Sequence, residues 1–154
     1  QLDFCLPMRF DLKYVDKDGN KKTPVVLHRA ILGSLDRFMA YILEETKGAL
    51  PTWLSPVQVN VIPVNLEYHT EYSNKVYNLL IENGIRAEVD LREEKLSYKM
   101  RESQTRKIPF TLILGDNELN SDTVSYRCFG SKDTDTLATT DFINMIKERI
   151  ALKK

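Results

Sequence analysis

The stretch VQVNVIPV, Val57 to Val64, decides the fold predicted for most of this chain. It is a short apolar run rich in valine and isoleucine, as expected of a strand buried within a sheet. The next segment, HTEYSNKVYNLLIENG, carries apolar residues at helical spacing and ends in Asn83–Gly84, a pair typical of a helix stop. A strand followed by a helix is the building unit of a parallel sheet.

The alternation of strands and helices continues to the end of the chain. IRAEVDL predicts a second strand, Lys95–Lys107 predicts a helix that stops before Pro109, and TTDFINMIKERIAL predicts a last helix. Between these two helices, FTLILGDNEL and TVSYRCF predict two strands joined by a polar turn. This order predicts an α/β fold with a mixed, mostly parallel sheet flanked by three helices and an antiparallel last strand pair.

A different pattern precedes LPTWLSP, Leu50–Pro56, whose two prolines interrupt any helix and indicate a domain joint. Leu2–Val15 and TPVVLHRA predict an antiparallel β-hairpin, and Gly33–Lys47 predicts an amphipathic helix. We therefore predict two parts, 1–55 and 56–154. A hairpin with one helix is too small to bury a core, so we expect the first part to belong to a longer protein.

The composition limits the kinds of partner that this chain can have. Its 22 basic and 22 acidic residues cancel, so any nucleic-acid binding must rest on a local patch. No apolar run approaches the roughly 20 residues that cross a bilayer, so we expect a cytoplasmic protein with no membrane contact. Cys5 and Cys128 lie far apart, and we expect reduced, buried thiols rather than a disulfide.

The first candidate site lies in VVLHRAILGSLDRF, Val25–Phe38. His28 and Arg29 follow an apolar strand, and the glycine-opened helix after them carries Ser34 and Arg37. A neutral imidazole can bind zinc, and a helix N-terminus favours phosphate. Zinc needs three or four ligands, however, and this sequence has no partner cysteine or histidine at useful spacing. A purely structural histidine is therefore the competing interpretation.

The second candidate is the helix within Arg92–Lys107, a segment with six cationic and three acidic residues. One face of that helix carries Lys95, Lys99, Glu102 and Arg106. Such a solvated stripe could meet a phosphate backbone. The alternative is an ordinary surface helix whose charges pair with one another.

The third candidate is the pair Glu118 and Arg127 on the two predicted strands before the last helix. The period of two along a strand places Thr123, Ser125 and Arg127 on one face. A polar face of this kind could form hydrogen bonds with the edges of unstacked RNA bases. A cross-strand ion pair would explain the same residues. Sequence patterns for a catalytic triad, a P-loop or a dinucleotide-binding glycine motif are absent.

Six motifs, in this order and spacing, resemble the threonyl-tRNA synthetase family of class II. They are QLDFCLP, HRAILGSLDRF, PTWLSPVQV, GIRAEVDLREEKLSYKMRES, KIPF and LGDNE, and they run through most of the chain. The resemblance implies that 1–55 is the end of an antiparallel class II catalytic domain, including its third signature motif. It also implies that 56–154 has the anticodon-binding fold that several class II synthetases share.

On the catalytic side, the resemblance implies roles for four residues. His28 would be one of three ligands of a zinc ion that holds threonine, with the other two ligands lying upstream. Arg37 would stack on the adenine of ATP, which a lysine could not do. Ser34 and Gln1 would line the adenylate pocket. Asp36 departs from the family, which usually has a glutamate before the arginine.

On the RNA side, the resemblance implies that Glu118 and Arg127 read the anticodon bases. Lys107 stands where an arginine is usual, and it keeps the charge without the planar stacking surface. Glu93 replaces a common asparagine and cannot donate a hydrogen bond when it is ionised. Asn20, in the hairpin loop, lies within one position of a family residue that reaches toward the same RNA.

These implications give one hypothesis and one alternative. We expect the C-terminal portion of a threonine–tRNA ligase, which binds the anticodon of tRNA(Thr) and completes the ATP, threonine and zinc site. The full-length enzyme would use ATP with Mg and form a homodimer, whereas this fragment alone would be inactive. The alternative is a non-catalytic RNA-binding accessory module with the same fold, against which the retained His28, Ser34 and Arg37 argue.

Overall fold

The predicted N-terminal hairpin is present as two short antiparallel ladders in this computed structural model, which describes residues 1–153. The elements are β1 (Leu2–Asp3), α1 (Cys5–Arg9), β2 (Tyr14–Val15), β3 (Lys21–Lys22), β4 (Val26–Leu27) and α2 (Leu35–Glu45). β1 pairs with β4, and β2 pairs with β3. Helix α1 departs from the predicted continuous strand because the Asp3 carboxylate accepts hydrogen bonds from the Cys5 and Leu6 N–H groups and starts a helical turn.

The first compact unit, Gln1–Ile42, leaves most of its apolar side chains exposed. Helix α2 confirms the predicted helix, yet none of its residues is buried, and Leu35 on its apolar side is 74% exposed. Cys5 is also exposed, so the expectation that it is buried was wrong. With strands only two residues long, this unit has too little surface of its own to cover these groups.

The second compact unit begins at Leu43 and contains a five-stranded sheet. Its strands are β5 (Val59–Pro63), β6 (Ala87–Val89), β7 (Phe110–Leu114), β8 (Thr123–Cys128) and β9 (Asp135–Ala138). The spatial order is β6-β5-β7-β8-β9, in which β5 pairs in parallel with β6 and β7. The two pairs β7–β8 and β8–β9 are antiparallel. The predicted mixed, mostly parallel sheet is therefore confirmed.

The helices of this unit are α3 (Leu66–Glu82), α4 (Leu96–Thr105), α5 (Asp116–Ser121) and α6 (Thr139–Ala151). α3 and α6 bury apolar side chains in the main core, together with one face of β5, β7 and β8. At the centre of this core Phe142 packs its ring 5.9 Å from that of Phe110 and 5.2 Å from that of Tyr126. Within residues 1–153, no helix has the length and apolar character needed to cross a membrane.

Two elements of this unit differ from the sequence expectation. LGDNEL, predicted as the end of a strand and a turn, forms the short helix α5, which ends at Asp122 in the left-handed conformation. Strand β9 has a largely polar sequence, DTLA, in which only Leu137 packs against the core. An edge strand without apolar alternation gives little sequence signal, because its order depends on backbone pairing with β8.

We expect Phe142→Ala to lower the free energy of unfolding by about 3–5 kcal/mol, because it removes a fully buried ring and leaves a cavity between α6 and the sheet. Tyr68→Ala, at a position that is 64% exposed on α3, is the matched aromatic control and should change stability by less than about 0.5 kcal/mol. Urea denaturation measures both. Equal midpoints for the two variants would contradict this description of the core.

Candidate nucleic-acid interface

The face of the sheet opposite the main core carries the polar residues predicted to contact RNA. On β8, Thr123, Ser125 and Arg127 are half-buried, whereas the two residues between them are buried in the core. The predicted alternation along this strand is therefore confirmed. Helix α4 packs against this face at one point, where the Ser103 and Thr111 hydroxyl oxygens lie 2.6 Å apart.

A cavity of about 440 Å³ opens on this face beside α4. Its lining consists of Leu96, Ser97, Met100, Arg101, Gln104, Ile113 and Arg127. The lining thus combines apolar side chains with two guanidinium groups, an amide and a hydroxyl. Such a combination suits a planar nucleobase, which needs an apolar contact for its ring and hydrogen-bonding groups for its edge.

Two of the polar groups in this lining have donors without a partner. Arg127 donates from Nη2 to Thr134 Oγ1 at 3.0 Å, but its Nε is buried with no hydrogen-bond partner in the part of the chain that the structure describes. Gln104 accepts from the Gly130 N–H at 3.2 Å, which fixes its amide orientation, and its Nε2 likewise has no partner among residues 1–153. A buried donor left unpaired costs about 1–3 kcal/mol, so both groups favour an incoming acceptor.

Gln104 is a candidate that the sequence reasoning missed. It is one polar residue among many in the helix KLSYKMRESQT, and nothing in its spacing distinguishes it. Its relation to Arg127 depends on how α4 packs against the sheet, which is a tertiary feature.

Glu118 lies on α5, so the prediction that places it on a strand was wrong. The physical reason is local: the carboxylate accepts the Gly115 N–H at Oε2, 2.9 Å away, and so closes the first turn of a helix. Its Oε1 accepts the Ser125 hydroxyl at 2.6 Å. Glu118 does not pair with Arg127, and the cross-strand ion-pair interpretation is therefore wrong as well.

Ser125 brings Glu118 to the same polar face as Arg127, two residues further along β8. Partial burial acts to raise the pKa of the Glu118 carboxyl, but the hydrogen bonds from Ser125 and Gly115 outweigh it and hold that pKa below its ordinary value of 4.5. Glu118 is thus a carboxylate at neutral pH and a pure hydrogen-bond acceptor. The face offers acceptors and donors side by side.

The cationic stripe predicted on α4 is solvated only in part, since its first and last residues are exposed. Lys99 is 2% exposed and donates to the Asp90 carbonyl oxygen at 3.0 Å. Arg106 binds both carboxylate oxygens of Glu88, and Arg92 pairs with Asp90 at 2.6 Å. The charges of this region therefore pair mainly with one another, as the alternative interpretation holds.

The three other residues predicted to contact RNA belong to three different segments of the chain. Lys107, in the left-handed conformation at φ +56°, donates from its amine to the Lys47 carbonyl oxygen in the segment after α2. Glu93 is exposed in the turn before α4. Asn20 is exposed in the first unit, where its carbonyl oxygen accepts the Asp16 N–H at 2.9 Å. None of these contacts involves Arg127 or Glu118.

His28, in the first unit, is held by Asp3, with 2.9 Å between Nε2 and Oδ2. The pKa of the Asp3 carboxyl lies below its ordinary value, chiefly because of the Leu6 N–H and then because of His28. Within residues 1–153, no group of three or more histidine, cysteine, aspartate or glutamate side chains could hold a metal ion. The residues present here do not by themselves fit a zinc ion.

The other residues predicted on the catalytic side form two small groups. Gln1 donates from its amine to the His28 carbonyl oxygen at 3.0 Å, and both residues line a cavity of about 560 Å³. Ser34 immediately precedes α2, and its hydroxyl oxygen accepts the Arg37 N–H at 3.4 Å. Arg37 itself is exposed on the first turn of α2.

The comparisons with known proteins agree with this architecture. Residues 58–149, more than half of the chain, match the family described as the anticodon binding domain. The chain belongs to that family. Residues 1–46 match the tRNA synthetase class II core domain (G, H, P, S and T). The fragment of a class II core that the resemblance implies ahead of the anticodon-binding domain is therefore confirmed.

Individual relatives point the same way. The chain is 51% identical over its full length to threonine–tRNA ligase from Oceanobacillus iheyensis and 48% identical to that from Staphylococcus carnosus. It spans about a quarter of the length of these curated relatives, 24% in both cases. A solved structure, the RNA binding domain of threonyl-tRNA synthetase from Cryptosporidium parvum, superimposes with a TM-score of 0.82 at 37% identity. That superposition covers 97% of this chain and 38% of the other.

We expect Glu118→Gln to destabilise the chain near neutral pH and to lose this effect in acid. Because the folded state holds the Glu118 pKa below its ordinary value, the ionised carboxylate contributes stability above the unfolded pKa. That contribution disappears as the pH falls through the folded pKa. Thermal melting of both proteins from about pH 7 to about pH 3 should therefore show their difference shrinking with acid.

Ser97→Ala is the control for this measurement, since Ser97 lies in the lining of the cavity beside α4 and has no hydrogen bond to Glu118. A difference between wild type and Glu118→Gln that grows with acid would contradict the geometry.

Proposed function

We propose that this chain is the C-terminal portion of a threonine–tRNA ligase and that its second unit binds the anticodon arm of tRNA(Thr). The observation that carries this proposal is the polar face of the sheet, with its cavity and its two unpaired donors at Arg127 and Gln104. Base edges carry the acceptors that such donors need, and aliphatic side chains contact the base plane. The family and the relatives described above support tRNA(Thr) as the RNA.

Within this proposal the predicted residues have different support. Arg127 donates to a base acceptor, and Glu118 accepts from a base amine or imine on the same face. Gln104 joins them as a second amide donor. Lys107, Glu93 and Asn20 are proposed RNA contacts on the strength of the family resemblance alone.

For the full-length protein we propose a cytoplasmic homodimer that joins threonine to tRNA(Thr) with ATP and Mg. We place the boundary between its catalytic and anticodon-binding domains at 55/56. Arg37, Ser34 and Gln1 would contact ATP and the adenylate, because they lie exposed at the start of α2 and beside the cavity next to His28. The exposed apolar side chains of the first unit, such as Ile31 at 82% exposure, support packing against further catalytic-domain residues.

We propose that zinc enters this function only when further ligands, supplied from outside this chain, join His28. His28 presents a half-exposed imidazole and would be one ligand, but its present partner is Asp3. When bound, a zinc ion would supply a Lewis acid that holds the amino and hydroxyl groups of threonine. What this chain contributes is the orientation of the His28 ring, set by Asp3 and by pairing of β1 with β4.

Arg127→Ala tests the RNA proposal. We expect it to weaken binding of the chain to a threonine anticodon stem–loop by roughly tenfold and to leave binding to a stem–loop with altered anticodon bases unchanged. Lys147→Ala, which removes a cation from α6 on the other side of the sheet, is the matched control and should affect neither. Equal weakening of both RNAs by Arg127→Ala would show a phosphate contact and contradict base reading.

The purified chain should show no threonine-dependent exchange of pyrophosphate into ATP and no stoichiometric zinc, because its own residues complete neither site. A longer chain that includes the upstream catalytic residues should show both, and His28→Ala in that chain should lose zinc as measured by metal analysis. Exchange by the short chain would contradict the proposal. Absence of exchange and zinc in the longer chain would favour the accessory RNA-binding module.

A further inference from the structure

A buried histidine at the start of α3 has no role in the function proposed above. His69 is 3% exposed, and both of its ring nitrogens are engaged. Nδ1 accepts the Asn65 N–H at 3.1 Å, and Nε2 lies 3.0 Å from Asp116 Oδ1 at the start of α5. Because a backbone N–H can only donate, Nε2 carries the proton that is donated to the carboxylate. The geometry therefore selects a single tautomer of the ring.

This hydrogen bond joins two helices at one edge of the sheet. α3 and α5 follow the parallel strands β5 and β7, and the Val64 N–H donates to the Leu114 carbonyl oxygen at 2.9 Å where these strands end. Asn65 also caps α3 by accepting the Glu67 N–H at 2.8 Å. The His69–Asp116 bond thus ties the first residue of α5 to the first turn of α3.

Stability does not account for this bond. The Asp116 side chain is 85% exposed, and pairs with an exposed partner contribute little to folding because water competes for the charge. The bond instead restricts where the first turn of α5 lies. When the direction of that turn is fixed, the side chains that it carries are fixed in orientation as well.

One of these side chains is Glu118, two residues after Asp116. Its carboxylate bridges the Gly115 N–H and the Ser125 hydroxyl, at 2.9 and 2.6 Å. The fit at Gly115 is close, since a Cβ atom there would lie 3.3 Å from Glu118 Oε2. A small rotation of the first turn of α5 would therefore move the carboxylate away from Ser125 and from the polar face.

We propose that His69 is a positioning residue for RNA recognition: by holding Asp116 it sets the first turn of α5 and thereby aims the Glu118 carboxylate at the polar face. The inference rests on the proposed function, in which Glu118 accepts a hydrogen bond from an anticodon base. It assigns His69 no contact with RNA. A packing role alone would be met by any side chain that fills the same space.

Four variants of the full 154-residue chain separate positioning from packing. Asp116→Ala removes the exposed acceptor and leaves the buried ring in place. His69→Ala removes the ring, His69→Asn keeps an acceptor near the position of Nδ1, and His69→Gln keeps a donor near the position of Nε2. Ile146→Val, in the core on α6, is the control for a general loss of stability.

The first readout needs no RNA. Carbon-detected NMR titration of the Glu118 carboxyl should show its pKa rising toward the ordinary glutamate value in Asp116→Ala, His69→Ala and His69→Asn. In Asp116→Ala, losing the Ser125 hydrogen bond raises this pKa by more than removing the exposed Asp116 charge lowers it. His69→Gln should restore the wild-type titration, and Ile146→Val should leave it unchanged. A wild-type Glu118 titration in Asp116→Ala would overturn the inference.

The second readout is binding to a threonine anticodon stem–loop and to the same RNA with altered anticodon bases. Asp116→Ala and His69→Ala should reduce the ratio of the two affinities by about twofold to fivefold, the limit set by a bond to an exposed carboxylate, with His69→Gln close to wild type. Unchanged ratios with an altered Glu118 titration would overturn the link to RNA. If the wild type itself does not distinguish the two RNAs, the proposed function fails, and the NMR titration still decides whether His69 positions the carboxylate.

Discussion

Parallel pairing of β5 with β7 is the constraint on which the second unit depends. The two strands pair over five residues, from Val59 opposite Phe110 to Pro63 opposite Leu114. β5 is buried along its whole length, which explains its nearly continuous apolar sequence. Because both strands run the same way, their carboxyl ends meet at one edge, and α3 and α5 begin there. The His69–Asp116 hydrogen bond forms only because these two ends coincide.

The same pairing gives the sheet two faces of opposite chemistry. On one face, Phe110 and its neighbours pack against α3 and α6. On the other, the register places Asn60 beside Thr111 and Thr111 beside Arg127, so a polar row crosses three adjacent strands. This polar row reduces the apolar surface that the face can bury. Each of its buried polar groups also needs a hydrogen-bond partner. The row also provides the donors and acceptors by which RNA bases are distinguished.

The first unit contains candidate functional residues without a packed core. It contains four residues assigned to the catalytic side by resemblance, yet its strands are two residues long and its helix α2 has no buried residue. Local hydrogen bonds, such as His28 with Asp3 and Ser34 with the Arg37 N–H, set the orientation of the functional groups. A core of its own is absent from residues 1–42 as the structure describes them. In this unit, local hydrogen bonds orient the functional groups although no core is present among residues 1–42.

Sequence patterns predicted well wherever one short-range signal decided the outcome. The parallel strands, the helices α2, α3, α4 and α6, and the alternation along β8 follow from apolar periodicity, which reports directly on which side of an element is buried. Periodicity failed for α5 and β9: the first forms because one carboxylate reaches back to Gly115, and the second because its backbone pairs with β8. Neither event leaves an apolar pattern in the sequence.

The sequence by itself determined most of the helices and strands, the family and the residue types available for RNA binding. Only the tertiary structure decided how the charges of α4 are used, that Gln104 shares a cavity with Arg127, and that His69 is tied to Asp116. The physical reason is distance along the chain: His69 and Asp116 are 47 residues apart, and their contact depends on where two parallel strands end. The spacing of these two residues in the sequence does not predict that they are in contact.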